Sequence, residues 1–164
     1  ISIEYQNGEQ IVLLNDENVN SYLRTEEVGN MASVSSAVPR VREKLLSLQR
    51  KLARDMSVVM DGRDIGTTIL PDADVKIYLT ASSLTRAKRR YLELQEKGTV
   101  CNLDEIQKDI EERDQRDMNR EISPLRQAED AVLVDSSDLT IQQVVDRILQ
   151  IFRSKTAGEK SHES

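Results

Sequence analysis

Val58-Val59-Met60-Asp61-Gly62-Arg63-Asp64-Ile65-Gly66-Thr67 decides how this sequence is read. An apolar run leads without alternation into an acidic residue, and a glycine-spaced turn then carries Arg63 between two carboxylates. A continuous apolar run predicts a strand buried on both faces, here over 57–61. A strand ending at a charged turn sets that turn at the carboxyl edge of a sheet, where open α/β folds take their ligands. An ordinary β-turn with Arg63 in solvent fits the stretch equally well.

The flanking sequence supports the sheet. Val75–Leu79 and Ala131–Val134 repeat the buried-strand pattern, the second closed by Asp135-Ser136-Ser137. Helical patterns lie between and after them. Ser82 or Ser83 predicts the cap of a helix that ends near Gly98. Asn102 opens another, with Glu105 placed as in a capping box and Pro124 marking its end. Thr140 caps a last helix with Ile141, Val144, Val145, Ile148 and Phe152 facing inward, followed after about Lys155 by a polar, disordered tail.

On the N-terminal side, Asn7-Gly8 between strand-like runs is a strong hairpin signal. A second turn near Asn15-Asp16 predicts an antiparallel meander that returns through Ser21 to Arg24. Thr25 then caps a helix running to about Ala37. Pro39 fits the first turn of the next helix, whose Val41, Leu45, Leu48 and Leu52 form one apolar stripe. Strands alternating with helices over 40–153 predict a parallel α/β sheet.

The helix from Asn102 carries an anomaly. Leu103, Ile106 and Ile110 set an apolar stripe, and the same spacing continued reaches Arg113, Asp117 and Arg120. Charged residues thus stand where core residues are expected. A solvated face with an Arg113–Asp117 pair worth ~0.3–0.5 kcal/mol is the plain alternative. Against it, the stretch from Arg113 to Arg120 is rich in arginine, whose fork suits phosphate oxygens. Arg86 to Arg90 is a basic run of the kind that is usually a solvated helix face. Ser33 and Arg42 are unremarkable taken singly.

Composition narrows the chemistry. The net charge of −6 and pI near 5.0 argue against a general nucleic-acid binder. The single histidine, His162, lies in the polar tail, which disfavours a histidine triad or metal site. One cysteine, Cys101, suits a reducing compartment. No apolar run approaches the ~18 residues that span a bilayer. What remains is arginine at 42, 63, 113, 116 and 120 with carboxylates at 61, 64 and 117, and no arranged nucleophile. Chemistry done by positioning and charge neutralisation is what phosphoryl transfer requires.

These residues lie in a recognisable pattern. From Ile1 to about Phe152 the chain resembles the bacterial-type cytidylate kinases, in NGEQIVLLNDENV, RTEEVGNMASVSSAVPRVRE, VVMDGRDIGT, PDADVKIYLTASSLTRAKRRYLELQEKG, ERDQRDMNREISPL and AVLVDSSDLT. The resemblance implies an α/β fold, a parallel sheet of the P-loop nucleoside-monophosphate kinase type with an antiparallel insert and a helical lid. It implies a nucleoside-monophosphate-binding insert at 1–40, core at 41–83 and 123–155, a lid at 84–122 and a tail at 156–164. It also implies ATP-dependent phosphorylation of CMP and dCMP with Mg²⁺, in the cytoplasm, by a protein that is a monomer when complete and takes no nucleic-acid or membrane partner.

By the same resemblance Ser33, Arg42 and Asp64 face the cytosine, while Arg113 and Asp117 meet the sugar. Arg63 and Arg120 meet the substrate phosphate, and Arg89 and Arg116 meet ATP or the transferring group. Asp61 would hold Mg²⁺ through water. Arg63, Arg116 and Arg120 are the catalytic set. Cytosine fits this assignment, since its amino donor and adjacent acceptors ask for one carboxylate and one forked donor.

One family feature is missing from the sequence: a GxxxxGK[ST] loop to cradle the ATP phosphates. The chain also starts at Ile1, in the middle of a strand pattern and without Met. The expectation is therefore a fragment lacking its first strand and P-loop, inactive by itself and prone to misfold. A non-catalytic CMP-binding module is the second reading. A helical nucleic-acid binder using Arg86 to Arg90 is the third, disfavoured by the acidic pI and the lack of interleaved aromatics.

Overall fold

The computed structural model describes residues 1–23, 25–35 and 38–159, apart from the side chains of Glu26, Asn30, Ser33 and Glu159. Arg24, Ser36, Ala37 and residues 160–164 lie outside the described residues. The chain divides into two compact units, Ile1–Ser57 and Val58–Ser164.

The first unit begins with strands β1 (Ser2–Gln6), β2 (Glu9–Leu14) and β3 (Glu17–Asn18) in an antiparallel sheet of that order. Asn7 (φ 53) and Gly8 (φ 82) are both left-handed, the geometry that lets a two-residue turn follow the twist of its strands. Asn15 (φ 51) and Asp16 (φ 67) repeat it before β3. The expected return through Ser21 to Arg24 is a strand only at Glu17–Asn18, with Arg24 outside the described residues, and a side chain then bridges back to β2. Asn20 Oδ1 accepts from Val12 N at 2.8 Å and its Nδ2 donates to Gln10 O at 2.7 Å.

Helix α1 (Glu26–Ser35) follows Thr25, whose Oγ1 accepts from Val28 N at 3.4 Å. Helix α2 (Pro39–Asp55) starts on Pro39, as its fixed φ favours. The expected stripe is only partly used: Val41, Leu45 and Leu48 are exposed, and Leu52 is half-buried. A stripe buries only against a second layer, and no residue of α2 is fully buried.

In the second unit the expected strand at 57–61 does not form. Val59 is fully exposed, and residues 57–61 run as unpaired chain into the glycine turn. β-Branched residues favour a strand only where a neighbouring edge accepts their backbone. Among the described residues the only parallel pairing is that of β4 (Ile77–Thr80) with β5 (Val132–Asp135). Ile77 lies opposite Val132 and Thr80 opposite Asp135, one to two residues later than the sequence predicts.

After the turn, Ile65–Ile69 form one π-helical turn, with Ile69 N bonded to Asp64 O at 3.2 Å and Leu70 N to Ile65 O at 2.7 Å. Lys76 Nζ donates to Pro71 O and to Asp130 Oδ2 at 2.7 Å, pinning the following loop to the start of the sheet.

The crossover between the two strands is helical. Helix α3 (Ser83–Glu96) is capped by Ser82 Oγ, which accepts from Thr85 N at 3.1 Å, and ends at Gly98 with φ 72. Helix α4 (Leu103–Asn119) is capped by Asn102 Oδ1, which accepts from Asp104 N at 2.8 Å and Glu105 N at 3.2 Å. The two helices pack on each other.

Helix α5 (Ile141–Glu159) packs against β5 and runs past the expected end near Lys155. Its inward line is Val144, Ile148 and Ile151; Ile141, Val145 and Phe152, expected inside, are exposed. A two-stranded sheet offers cover for a narrow line, not for a broad stripe. Among the described residues Ile69, Ala81, Ala87, Val134 and Ile151 are the buried apolar ones.

Removing the Asn102 cap tests this account of α4. Asn102→Ala is expected to destabilise the helix start by about 1 kcal/mol, since both orphan N–H groups lose their acceptor. Faster hydrogen exchange at Asp104 and Glu105, with Thr85 unchanged, is the expected result.

Candidate active site

The glycine turn and the C-terminal end of α4 meet through crossed charges. Arg63 Nε donates to Asp117 Oδ2, an i to i+54 contact that the sequence pattern alone does not require. Arg120 Nη2 lies 4.0 Å from Asp64 Oδ2. Arg113 Nε lies 4.0 Å from the same Asp117 oxygen that Arg63 holds. Two residues of the turn are thus interleaved with three of the helix end. Asp64 and Asp117 are the more sheltered, at 13% and 19% side-chain exposure, while the arginines open toward solvent.

Local backbone explains the placement. The π turn begins directly after Asp64 and gathers two amides onto its carbonyl, Thr68 N at 2.9 Å and Ile69 N at 3.2 Å. Gly62 permits the tight approach before it, because a Cβ there would stand 2.9 Å from Ile65 Cγ1. At the other side the chain folds back over the end of α4. Leu125 N donates to Asp117 O at 2.8 Å and Arg120 Nε donates to Ser123 O at 2.5 Å.

The remaining expected site residues fall elsewhere. Arg89 reaches the carboxyl end of β5, donating to Ser136 O at 2.6 Å. Arg116 is exposed on α4 and donates to Glu112 O at 3.4 Å within its own helix. Asp61 is exposed at the mouth of the turn. No group of three or more metal-ligating side chains occurs among the described residues. Arg42 is half-buried on the first turn of α2, in the first unit. Ser33 belongs to α1, and its side chain lies outside the described residues.

Sequence reasoning missed Asp114. Continuing the stripe by three from Ile110 selects Arg113, which is exposed; continuing it by four selects Asp114, which is half-buried and takes the Arg86 fork. The bond to Asp114 holds the Arg86 guanidinium above its ordinary pKa, against partial desolvation. Beside it, Ser83 Oγ donates to Glu111 Oε1 at 2.7 Å, and Gln107 Nε2 donates to the same oxygen at 2.9 Å. These two bonds, Ser83 first, hold the Glu111 carboxyl below the usual carboxylate range. The usable signal was the i, i+4 alternative together with an arginine in the so-called solvated run.

The cytidylate kinase family model matches residues 1–154. The chain belongs to the cytidylate kinase family. It is 49% identical over 155 residues to the cytidylate kinase of Lactobacillus johnsonii, covering 94% of this chain and 67% of that one. It is 48% identical over 159 residues to the enzyme of Caldicellulosiruptor saccharolyticus, covering 97% and 70%. Against the enzyme of Enterobacter sp. strain 638 the identity is 51% over 150 residues, covering 92% and 66%. The chain therefore spans about two thirds of the length of these cytidylate kinases. No helix among the described residues is long and apolar enough to cross a membrane.

Two outcomes are expected from this geometry. Gly62→Ala should displace Ile65 and loosen the turn, destabilising the second unit by about 1–2 kcal/mol in denaturant unfolding. Glu111 supplies a pH dependence. Its folded-state pKa is lowered, so its stabilisation is full above the ordinary carboxylate range and is lost as pH falls through the depressed value. Glu111→Gln should lower the melting temperature near neutral pH and flatten its acid limb.

Proposed function

We propose that the protein to which these residues belong transfers the γ-phosphate of ATP to CMP and dCMP, giving CDP and dCDP, and that this chain supplies the acceptor side. The carrying observation is the crossed pairing of Arg63 with Asp117 and of Arg120 with Asp64. Each of these arginines faces a carboxylate. The arginine fork matches phosphate oxygens as well as it matches a carboxylate, and a phosphate dianion brings the larger charge, so an arriving nucleotide phosphate competes for Arg63 and Arg120. Asp117 is then released to accept from a sugar hydroxyl beside Arg113. Asp64, with Arg42 and Ser33, reads the cytosine: the carboxylate accepts from the amino group and the arginine donates to the ring acceptors. Uracil reverses that pattern and leaves both protein groups unpaired.

Transfer itself asks for charge matching along an in-line path rather than for a protein nucleophile. Arg63, Arg120 and Arg116 serve that role, and Arg89 lies toward ATP at the strand edge where Ser136 now holds it. ATP brings Mg²⁺, which keeps most of its ligands as water and phosphate oxygens and needs few carboxylates. The exposed Asp61 fits a water-mediated share of that site, and the ion supplies neutralisation of phosphate charge. On this reading the protein works as a cytoplasmic monomer on free nucleotides, and takes no nucleic-acid or membrane partner.

The sequence holds no GxxxxGK[ST] loop, so the polypeptide of residues 1–164 is proposed to be inactive by itself. The same feature favours a second reading, a module that binds CMP without transferring phosphate. A coupled ADP-release assay beside CMP calorimetry separates them. Saturable CMP binding with no ATP effect in any longer form of the protein supports the module, and CMP-dependent ADP release supports the kinase.

In a form that turns over CMP, Arg120→Ala should lower kcat by about 100-fold and raise the CMP KM, because transition-state charge loses its partner. Arg42→Ala should raise the KM for CMP while leaving that for ATP unchanged. An unaltered CMP KM in Arg42→Ala overturns the base-recognition assignment. Asp117→Ala should cost less with a sugar that lacks the hydroxyl it contacts.

A further inference from the structure

Helix α4 presents three acidic side chains at three-residue spacing to three different partners. Glu111 accepts from Ser83 at the start of α3. Asp114 takes both terminal nitrogens of Arg86, at 3.0 Å and 2.5 Å. Asp117 takes Arg63 of the glycine turn. The middle contact has a property that the outer two lack. Arg86 Nε also donates to Ala81 O at 3.0 Å, and Ala81 is buried just beyond the end of β4. One planar guanidinium therefore ties the helix to a main-chain carbonyl at the sheet edge, by three bonds at once.

A loose surface salt bridge needs one contact between two mobile side chains. Here the fork is matched on both carboxylate oxygens, and both side chains are partly sheltered, at 36% and 24% exposure. Asp114 precedes Asp117 by three residues, so the two carboxylates share one side of the helix within a turn. Rotating α4 by roughly 20° moves a side-chain tip about 5–6 Å from the axis by about 2 Å. A displacement of that size breaks a hydrogen bond to a bound ligand.

We infer that Arg86, acting through Asp114, is the positioning residue that sets the rotation of the C-terminal half of α4, and so fixes where Asp117 and Arg120 meet the acceptor nucleotide. The inference rests on the acceptor-site reading above. Arg86 touches no substrate in it. Lysine cannot replace it, because a point charge cannot bond both carboxylate oxygens and the Ala81 carbonyl together.

The test compares wild type, Arg86→Lys, Asp114→Asn and the double variant, in the whole protein to which these residues belong. Steady-state kinetics and CMP calorimetry are read beside melting temperature. Each single variant should raise the CMP KM and Kd about tenfold with the ATP KM nearly unchanged, and the double variant should be no worse than either single one. Lowered melting temperatures with unaltered CMP constants overturn the inference, as do CMP and ATP constants that rise together. If Arg86→Lys fails to fold, the isosteric Asp114→Asn carries the same comparison. A wild type that neither binds nor phosphorylates CMP overturns the acceptor-site reading, and this inference with it. A wild type that does both, with unaffected variants, overturns the inference alone.

Discussion

Asp117 is held by a cation from far along the chain. It is among the more sheltered carboxylates of the second unit, where an opposite charge offsets part of the cost of leaving water. Arg63 supplies the pairing from 54 residues away, and in doing so joins the glycine turn to the end of α4. The rest of the site follows from that contact. Asp64 comes within reach of Arg120, Arg113 shares the Asp117 oxygen, and the chain after α4 folds back to bond the Asp117 carbonyl.

Such a pair adds little to stability. Both partners keep some solvent access, and half-exposed ion pairs contribute about 1 kcal/mol or less. Its value lies in what it leaves exchangeable. On the proposed reading, a nucleotide phosphate that takes the arginine from this carboxylate would also free the carboxylate for the sugar. The Arg86–Asp114 contact is of the other kind. Its anchor is a backbone carbonyl at the end of β4, so it behaves as part of the frame. Exchangeable and fixed pairs thus alternate along one helix, three residues apart.

Membership of the cytidylate kinase family gives this arrangement its context, and the identity near one half extends over nearly all of the chain. The structure adds which charged groups pair with one another. It also separates Arg116, solvent-facing on α4, from the interleaved cluster, though Asp114 and Asp117 close to it in the chain are engaged.

Local signals were legible in the sequence because their causes are local. Asn7-Gly8 and Asn15-Asp16 turn where left-handed geometry is cheap, and Thr25, Ser82, Asn102 and Thr140 accept the amides that open their helices. Strands near 75–79 and 131–134 in a parallel sheet were legible too, from apolar runs separated by helical patterns, whereas their direct pairing, at 77–80 with 132–135, was not. Three readings failed for one shared reason. Val58 and Val59 have the composition of a strand, Val41, Leu45 and Leu48 that of a buried stripe, and Ile141 and Phe152 that of a core, yet all are exposed. Periodicity states which face a segment could bury; only a packed neighbour decides whether it does. The choice of Asp114 over Arg113 was likewise tertiary, since both flank the same stripe and only the place of Arg86 selects between them.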